Sequence, residues 1–325
     1  MRDWTTYALG VVAWIAFVTA PAWAQQYTLN IGHVLDTAHP LHIGGLKMAE
    51  TVNKSSGGRV KMTIFPSSQL GDAREMIQNV QSGTIVGMLE STTKLVPFVP
   101  ELAALDVPYL VAPEKASALV ESPVVRGELA DKAAAAGFRM MDYWEITFRS
   151  IYSRKPVTSL KDLKGMKLYT SPSPSFITIL RSFGASPTTV AFAELYTALQ
   201  QGVVDGADND PLTYMTVRHY EVAKNLALTN HAMRVNGFIM SEKVWKTYPP
   251  DIQKLIADAS QEGQKELRRY RAAREATVIA DLKAKGVSVT TPDLAPFIDA
   301  SKASYAEFEK TVGKELLARL IAASK

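Results

Sequence analysis

Apolar and polar positions alternate along residues 27–34 (YTLNIGHV), placing Tyr27, Leu29 and Ile31 on one side of the chain. A period of two predicts a strand. Residues 40–54 then follow a helical pattern, which Ser55-Ser56-Gly57-Gly58 stops. Alternation returns over 60–65 (VKMTIF), a second helix over 72–81 ends at Ser82-Gly83, and a short apolar run over 85–89 ends in Glu90. The order strand, helix, strand, helix, strand predicts a mostly parallel sheet with helices on both faces.

A second unit of the same kind begins later. Strands are predicted over 138–144, 166–170, 187–190 and 203–207, with helices over 175–183 and 192–201 between them. Residues 225–241 read as an extended segment long enough to pass between domains. Pro249-Pro250 opens a helical pattern that runs to about Lys285, with Ile252, Leu255, Ile256, Ala259 and Leu267 on its apolar face. Its length suits a helix that spans two lobes. The predicted fold is therefore α/β, two lobes joined by crossing strands and a long helix, with a ligand cleft at the carboxyl ends of the strands.

Composition narrows the class. The N-terminal residues 1–24 contain the apolar run LGVVAWIAFVTA and then Pro21-Ala22-Trp23-Ala24, which reads as a secretory signal peptide cut after Ala24. No other run reaches about 18 apolar residues, the length a membrane span needs. The chain has no cysteine, which excludes disulfides, thiol catalysis, cysteine metal sites and a lipidated cysteine after the cut. These features point to a bacterial periplasm. Net charge is +4, from 36 basic and 32 acidic residues, and the excess is spread out. A nucleic-acid surface would show basic residues clustered with aromatics, and no such stripe exists.

Catalytic motifs are missing. There is no G-x-S-x-G elbow, no H-E-x-x-H and no phosphate-binding loop, so the expectation is a non-enzyme without cofactor. Three of the five histidines, His33, His39 and His42, fall close together. Their spacing does not put them on one helical face, so no metal site is assigned, and His39 reads as a structural residue at a helix start.

The segment Gly184 to Tyr214, with ELYTALQQGVVDGADN at its centre, carries a resemblance. It is similar to the solute receptor (DctP-type, P subunit) of tripartite ATP-independent periplasmic, or TRAP, transporters. Three more segments support it: SSGGRVKMTIFPSSQLGDAREMIQNVQSG, VPELAALDVPYL and KPVTSLKDLKGMKLY. The resemblance covers roughly 27–322. It implies a monomeric two-lobe periplasmic receptor that closes on a small solute and delivers it to the small and large membrane subunits of a permease driven by an ion gradient. Lobe I is expected to comprise 25–146 with 235–274, and lobe II 147–234 with 275–325.

The resemblance also marks site residues. Asn209 follows the turn at Gly206 and offers both donor and acceptor to the cleft. Phe192 matches an aromatic that packs on ligand, and Arg149 matches an arginine that reaches it. Tyr169 is a departure, because most relatives carry an arginine there that grips a ligand carboxylate with its planar fork. Breaking such a pair costs about 2–5 kcal/mol. Two alternatives follow. In one, the ligand is still an organic acid, held by Arg149, Asn209 and main-chain donors of the 171–175 loop. In the other it is an amine, amino alcohol or neutral polyol. Glu90 and Ser91, ending a strand, suit the second alternative, as do the aromatic faces of Trp144, Tyr169 and Phe192 and the acceptors Asp36 and Asp210. Glu90 also fits a structural ion pair, with Arg149 as a candidate partner.

Overall fold

The computed structural model describes residues 26–325; the leader assigned to 1–24 lies outside the described residues. Nine strands form one sheet: β1 (Tyr27–Gly32), β2 (Val60–Phe65), β3 (Gly87–Ser91), β4 (Phe138–Ser153), β5 (Lys167–Tyr169), β6 (Ser186–Thr188), β7 (Gly206–Asn209), β8 (Asn225–Ser241) and β9 (Ser288–Thr290). Their order is β2-β1-β3-β8-β4-β7-β5-β6, with β9 added along β8. At one end β1 runs parallel to β2 and β3; at the other β5 runs parallel to β6 and β7. Between these halves lie the two longest strands, β4 and β8, antiparallel to each other and to β7 and β3; the short β9 runs parallel to β8. Both predicted parallel units are present, except that the strand expected to open the second, 138–144, is part of β4 and runs antiparallel to its neighbours. Two antiparallel crossing strands fuse them.

Local chemistry sets the element ends. Helix Ala73–Ser82 opens with a reciprocal capping box: the Glu75 amide donates to Asp72 Oδ1 and the Asp72 amide to Glu75 Oε2, both at 2.9 Å. It closes at Gly83, whose φ of 87° suits a residue without a β-carbon. Helix Pro40–Ser55 opens at His39, whose Nδ1 accepts the Leu41 amide at 3.1 Å. The extended segment predicted over 225–241 is β8, and the long helix is Pro250–Ala284.

Several boundaries differ from the sequence reading: β5 and β6 are shorter, and three other strands shift for reasons of pairing. β4 continues through Ser153, because it is sandwiched between β8 and β7 and both ladders stay occupied. β3 starts two residues later than predicted, and its pairing of Glu90 with Gly237 and Ser91 with Asn236 brings both polar residues inside the strand. β7 is likewise displaced toward the C terminus, so Asp208 and Asn209 lie within it opposite Ile151 and Ser150.

The 35-residue helix Pro250–Ala284 packs on Pro40–Ser55 and on β4. Glycines allow the close approach: a β-carbon at Gly263 would stand 2.8 Å from the Gly44 carbonyl oxygen and 2.7 Å from the Trp144 ring. Helix Ala295–Val312 packs on both Pro174–Ser182 and the turn Pro100–Asp106, tying the C-terminal region to both halves. Among the described residues no helix is long and apolar enough to cross a membrane.

Candidate functional site

Four strands converge on one recess. β3 brings Glu90 and Ser91, β5 ends in Tyr169, β7 ends in Asn209, and the middle of β8 brings Arg234 and Asn236. Residues two apart on a strand share a face, so Arg234 and Asn236 look the same way. Val34 and Leu35 after β1, Lys94, Ser171 and Phe192 complete the wall of a narrow recess with a cavity volume of about 20 Å³. A wider groove of about 380 Å³ continues outward over Phe192, Tyr169 and Lys94 to Asp72 and Pro172. A polar recess that opens into a groove at the strand ends is where α/β folds take small ligands.

Each buried charge at the recess has a partner. Glu90 Oε1 accepts the Ser91 amide at 2.8 Å, and Oε2 accepts Lys94 Nζ at 3.0 Å. Its ion-pair partner is thus Lys94, one helical turn on, and not Arg149. Arg234 donates from Nη1 to Asn209 Oδ1 at 2.8 Å and from Nη2 to Asp210 Oδ2 at 2.9 Å. Its Nε–H is buried and has no partner among the described residues. Asn209 Oδ1 also accepts the Asp210 amide at 3.0 Å.

A second layer stands behind this wall. Asp210 caps helix Pro211–Thr216 by accepting the Thr213 amide and hydroxyl, and it takes a longer contact of 3.4 Å from Arg271. Burial raises the Asp210 carboxyl, but the charges of Arg234 and Arg271 outweigh it and hold the group below the usual carboxylate range. Arg271 bonds Glu145 Oε1 at 2.7 Å, and the other Glu145 oxygen accepts the Asn236 amide. Burial lowers His39, leaving the ring neutral. With Nδ1 accepting the Leu41 amide, its proton sits on Nε2 and is donated to Thr213 Oγ1 at 3.1 Å. The network links the start of helix Pro40–Ser55 to β7, β8 and the long helix.

The expected site residues divide cleanly. Glu90, Ser91, Tyr169, Phe192 and Asn209 come together on the recess wall. Tyr169 and Phe192 stand with ring centroids 6.4 Å apart, and among the described residues nothing hydrogen-bonds the Tyr169 hydroxyl. Burial pushes that phenol well up, so it stays protonated and can donate. Asp210 stands behind Arg234 rather than on the wall. Arg149 is 1 % exposed, donates to the Asp208 carboxylate at 2.6 Å and to the Asp208 carbonyl, and lies over the Phe176 ring at 4.5 Å; it does not line the recess. Trp144 is a core residue: its indole bonds Ser260 Oγ at 3.0 Å against the long helix, far from any role as a cleft aromatic. Asp36 shapes the loop after β1 by accepting the Ala38 amide at 2.8 Å. Asn209 does not cap the next helix; Asp210 does.

The sequence reading passed over Arg234, Lys94 and Asn236 and took in Ser171 only as part of the 171–175 loop. One signal was available for the first and third: in HAMRVNGF a guanidinium and an amide fall two apart inside an otherwise apolar strand.

Comparison with known proteins agrees with this architecture. The description "Bacterial extracellular solute-binding protein, family 7" (DctP) matches residues 31–311. The sialic acid-binding periplasmic protein of Vibrio cholerae is 30 % identical over 312 residues, 95 % of this chain and 97 % of that one. The 2,3-diketo-L-gulonate-binding periplasmic protein of Escherichia coli is 30 % identical, covering 91 % and 90 %. A solved TRAP periplasmic solute-binding protein from a Polaromonas species, bound to D-erythronate, superposes with a TM-score of 0.86 at 32 % identity, over 91 % of this chain and 98 % of that one. One from Sulfurospirillum deleyianum, with bound succinate, gives 0.86 at 30 % identity, over 92 % and 99 %. The chain belongs to the DctP family of extracellular solute-binding proteins. It is a TRAP-type solute-binding protein with the two-lobe fold, from a family of receptors rather than enzymes.

Proposed function

We propose that this receptor captures a small organic acid in the periplasm, having been exported by a leader cut after Ala24. It hands that acid, as a monomer, to the small and large membrane subunits of a TRAP permease for uptake driven by an ion gradient. In this proposal 25–146 with 235–274 form lobe I, 147–234 with 275–325 form lobe II, and the recess at Tyr169 and Asn209 is the solute site.

One observation carries the choice of an acid over an amine: among the described residues the donors Tyr169 hydroxyl and Arg234 Nε–H have no partner at the recess, while its carboxylates are paired. Glu90, the acidic side chain on the wall, is neutralised by Lys94 at 3.0 Å, and Asp208 and Asp210 behind it are held by Arg149 and Arg234. An incoming ammonium meets no uncommitted carboxylate and loses its hydration without return. The acids bound by the relatives, sialic acid, 2,3-diketo-L-gulonate, D-erythronate and succinate, support the same class.

A thermal-shift screen tests this, since a solute that binds only the folded chain raises Tm. Small sugar acids and dicarboxylates are expected to raise it, and amines and polyols to leave it unchanged. A response confined to amines or polyols overturns the proposal.

A further inference from the structure

The recess holds a pole built from donors. Asn209 Oδ1 is committed twice, to Arg234 Nη1 at 2.8 Å and to the Asp210 amide at 3.0 Å. That fixes the orientation of the amide, so Asn209 presents Nδ2, a donor, to the recess it lines. Tyr169 lines the same recess, and its hydroxyl has no protein partner among the described residues. Arg234 lines it too, with side-chain exposure of 9 % and an unpartnered Nε–H. Arg149 Nη1 and Arg271 Nε lack partners as well, but neither arginine lines the recess; they pair with Asp208 and Glu145. Asp210, held by two arginines, fixes the Arg234 guanidinium in place before any solute arrives.

We infer that Arg234, on the crossing strand β8, is the cation that receives the solute's carboxylate, with Asn209 Nδ2 and the Tyr169 hydroxyl as accompanying donors. This rests on the acid proposal above. The anchor thus stands on a strand shared by both halves of the sheet, instead of at position 169 on β5. Tyr169 lies within electrostatic reach of both Arg149 and Arg234, so a neutral side chain there avoids a third guanidinium at one point. The exchange of arginine for tyrosine at 169 and the presence of arginine at 234 become one relocation of charge.

The test is a charge-relocation cycle read by calorimetry. D-Erythronate, succinate, pantoate and D-glucuronate are titrated, with erythritol as the neutral counterpart of erythronate. Wild type is expected to bind at least one acid and to reject erythritol. Arg234→Gln is expected to weaken that acid at least ~30-fold, the low end for losing one member of a buried charge pair. Tyr169→Arg in the Arg234→Gln background is expected to regain most of the loss. A purely structural role for Arg234 predicts no such rescue, because residue 169 cannot rebuild the contacts to Asp210. Arg234→Lys keeps the charge and the fold if glutamine unsettles Asp210, and is expected to lose less than glutamine does. Unchanged acid affinity in both Arg234 variants, or absence of rescue by Tyr169→Arg, overturns the inference while leaving the acid proposal standing. If wild type binds none of the four acids, both fall.

Discussion

Arg149 donates its Nε–H to Asp208 Oδ2 at 2.6 Å, and both side chains are sealed from solvent. This pair belongs to the packing behind the recess. Removing one partner strands a buried charge, so Asp208→Ala is expected to cost about 3–5 kcal/mol. Urea unfolding at neutral pH measures it.

Two buried carboxyls give opposite pH dependences. Burial raises Asp208, but the charge and hydrogen bond of Arg149 outweigh it and depress the group. Its stabilisation is present above about pH 4 and lost as the pH falls below the ordinary aspartate range. Asp106 behaves in the reverse way. Burial pushes it up to about 7, against the Thr93 hydroxyl that donates at 2.6 Å, and its second oxygen has no partner among the described residues. The folded chain therefore binds that proton more tightly than the unfolded chain does. Its contribution is full below about pH 4 and lost between there and about 7, on the order of 4 kcal/mol. Melting curves from pH 4 to 8 are expected to fall less steeply in Asp106→Asn than in wild type; superimposable pH profiles would contradict this.

Lys94 and Glu90 set the charge of the outer wall. Lys94→Met leaves Glu90 unpaired beside the solute and is expected to weaken acid binding at least ~10-fold, as like charges repel in a partly buried site. Glu90→Gln frees the ammonium and is expected to strengthen the same acid. Calorimetry with one acid on the three proteins decides the signs.

The crossing of the long helix over Pro40–Ser55 depends on Gly44, Gly263 and Trp144. Gly263→Ala forces a methyl against the Gly44 carbonyl and the Trp144 ring and is expected to destabilise by about 1–3 kcal/mol. Solute affinity should not change, because Trp144 stands in the core. Paired unfolding and binding measurements separate the two effects.

Much of this was legible in the sequence. Period-two runs and glycine stops gave β1, β2 and the helices between them, because those elements are set by local pattern and caps. β3 and β7 drifted, since their ends depend on pairing with β8 and β4, which no local pattern encodes. The same limit governed the site. Tyr169, Asn209, Glu90 and Ser91 stand at or near strand ends, Phe192 opens the short turn after β6, and all five line the recess. Trp144 and Arg149 sit on β4, where only the three-dimensional neighbours decide which face meets the recess. The aromatic faces the long helix and the arginine faces Asp208. Arg234 lies in mid-strand rather than at an end, so a search of strand termini passes over it.

The central claim is that the recess holds an organic acid. The most direct measurement is mass spectrometry of the small molecule released from receptor purified out of the periplasm without unfolding. The account predicts a compound carrying a carboxylate; an amine, amino alcohol or neutral polyol in stoichiometric amount would contradict it.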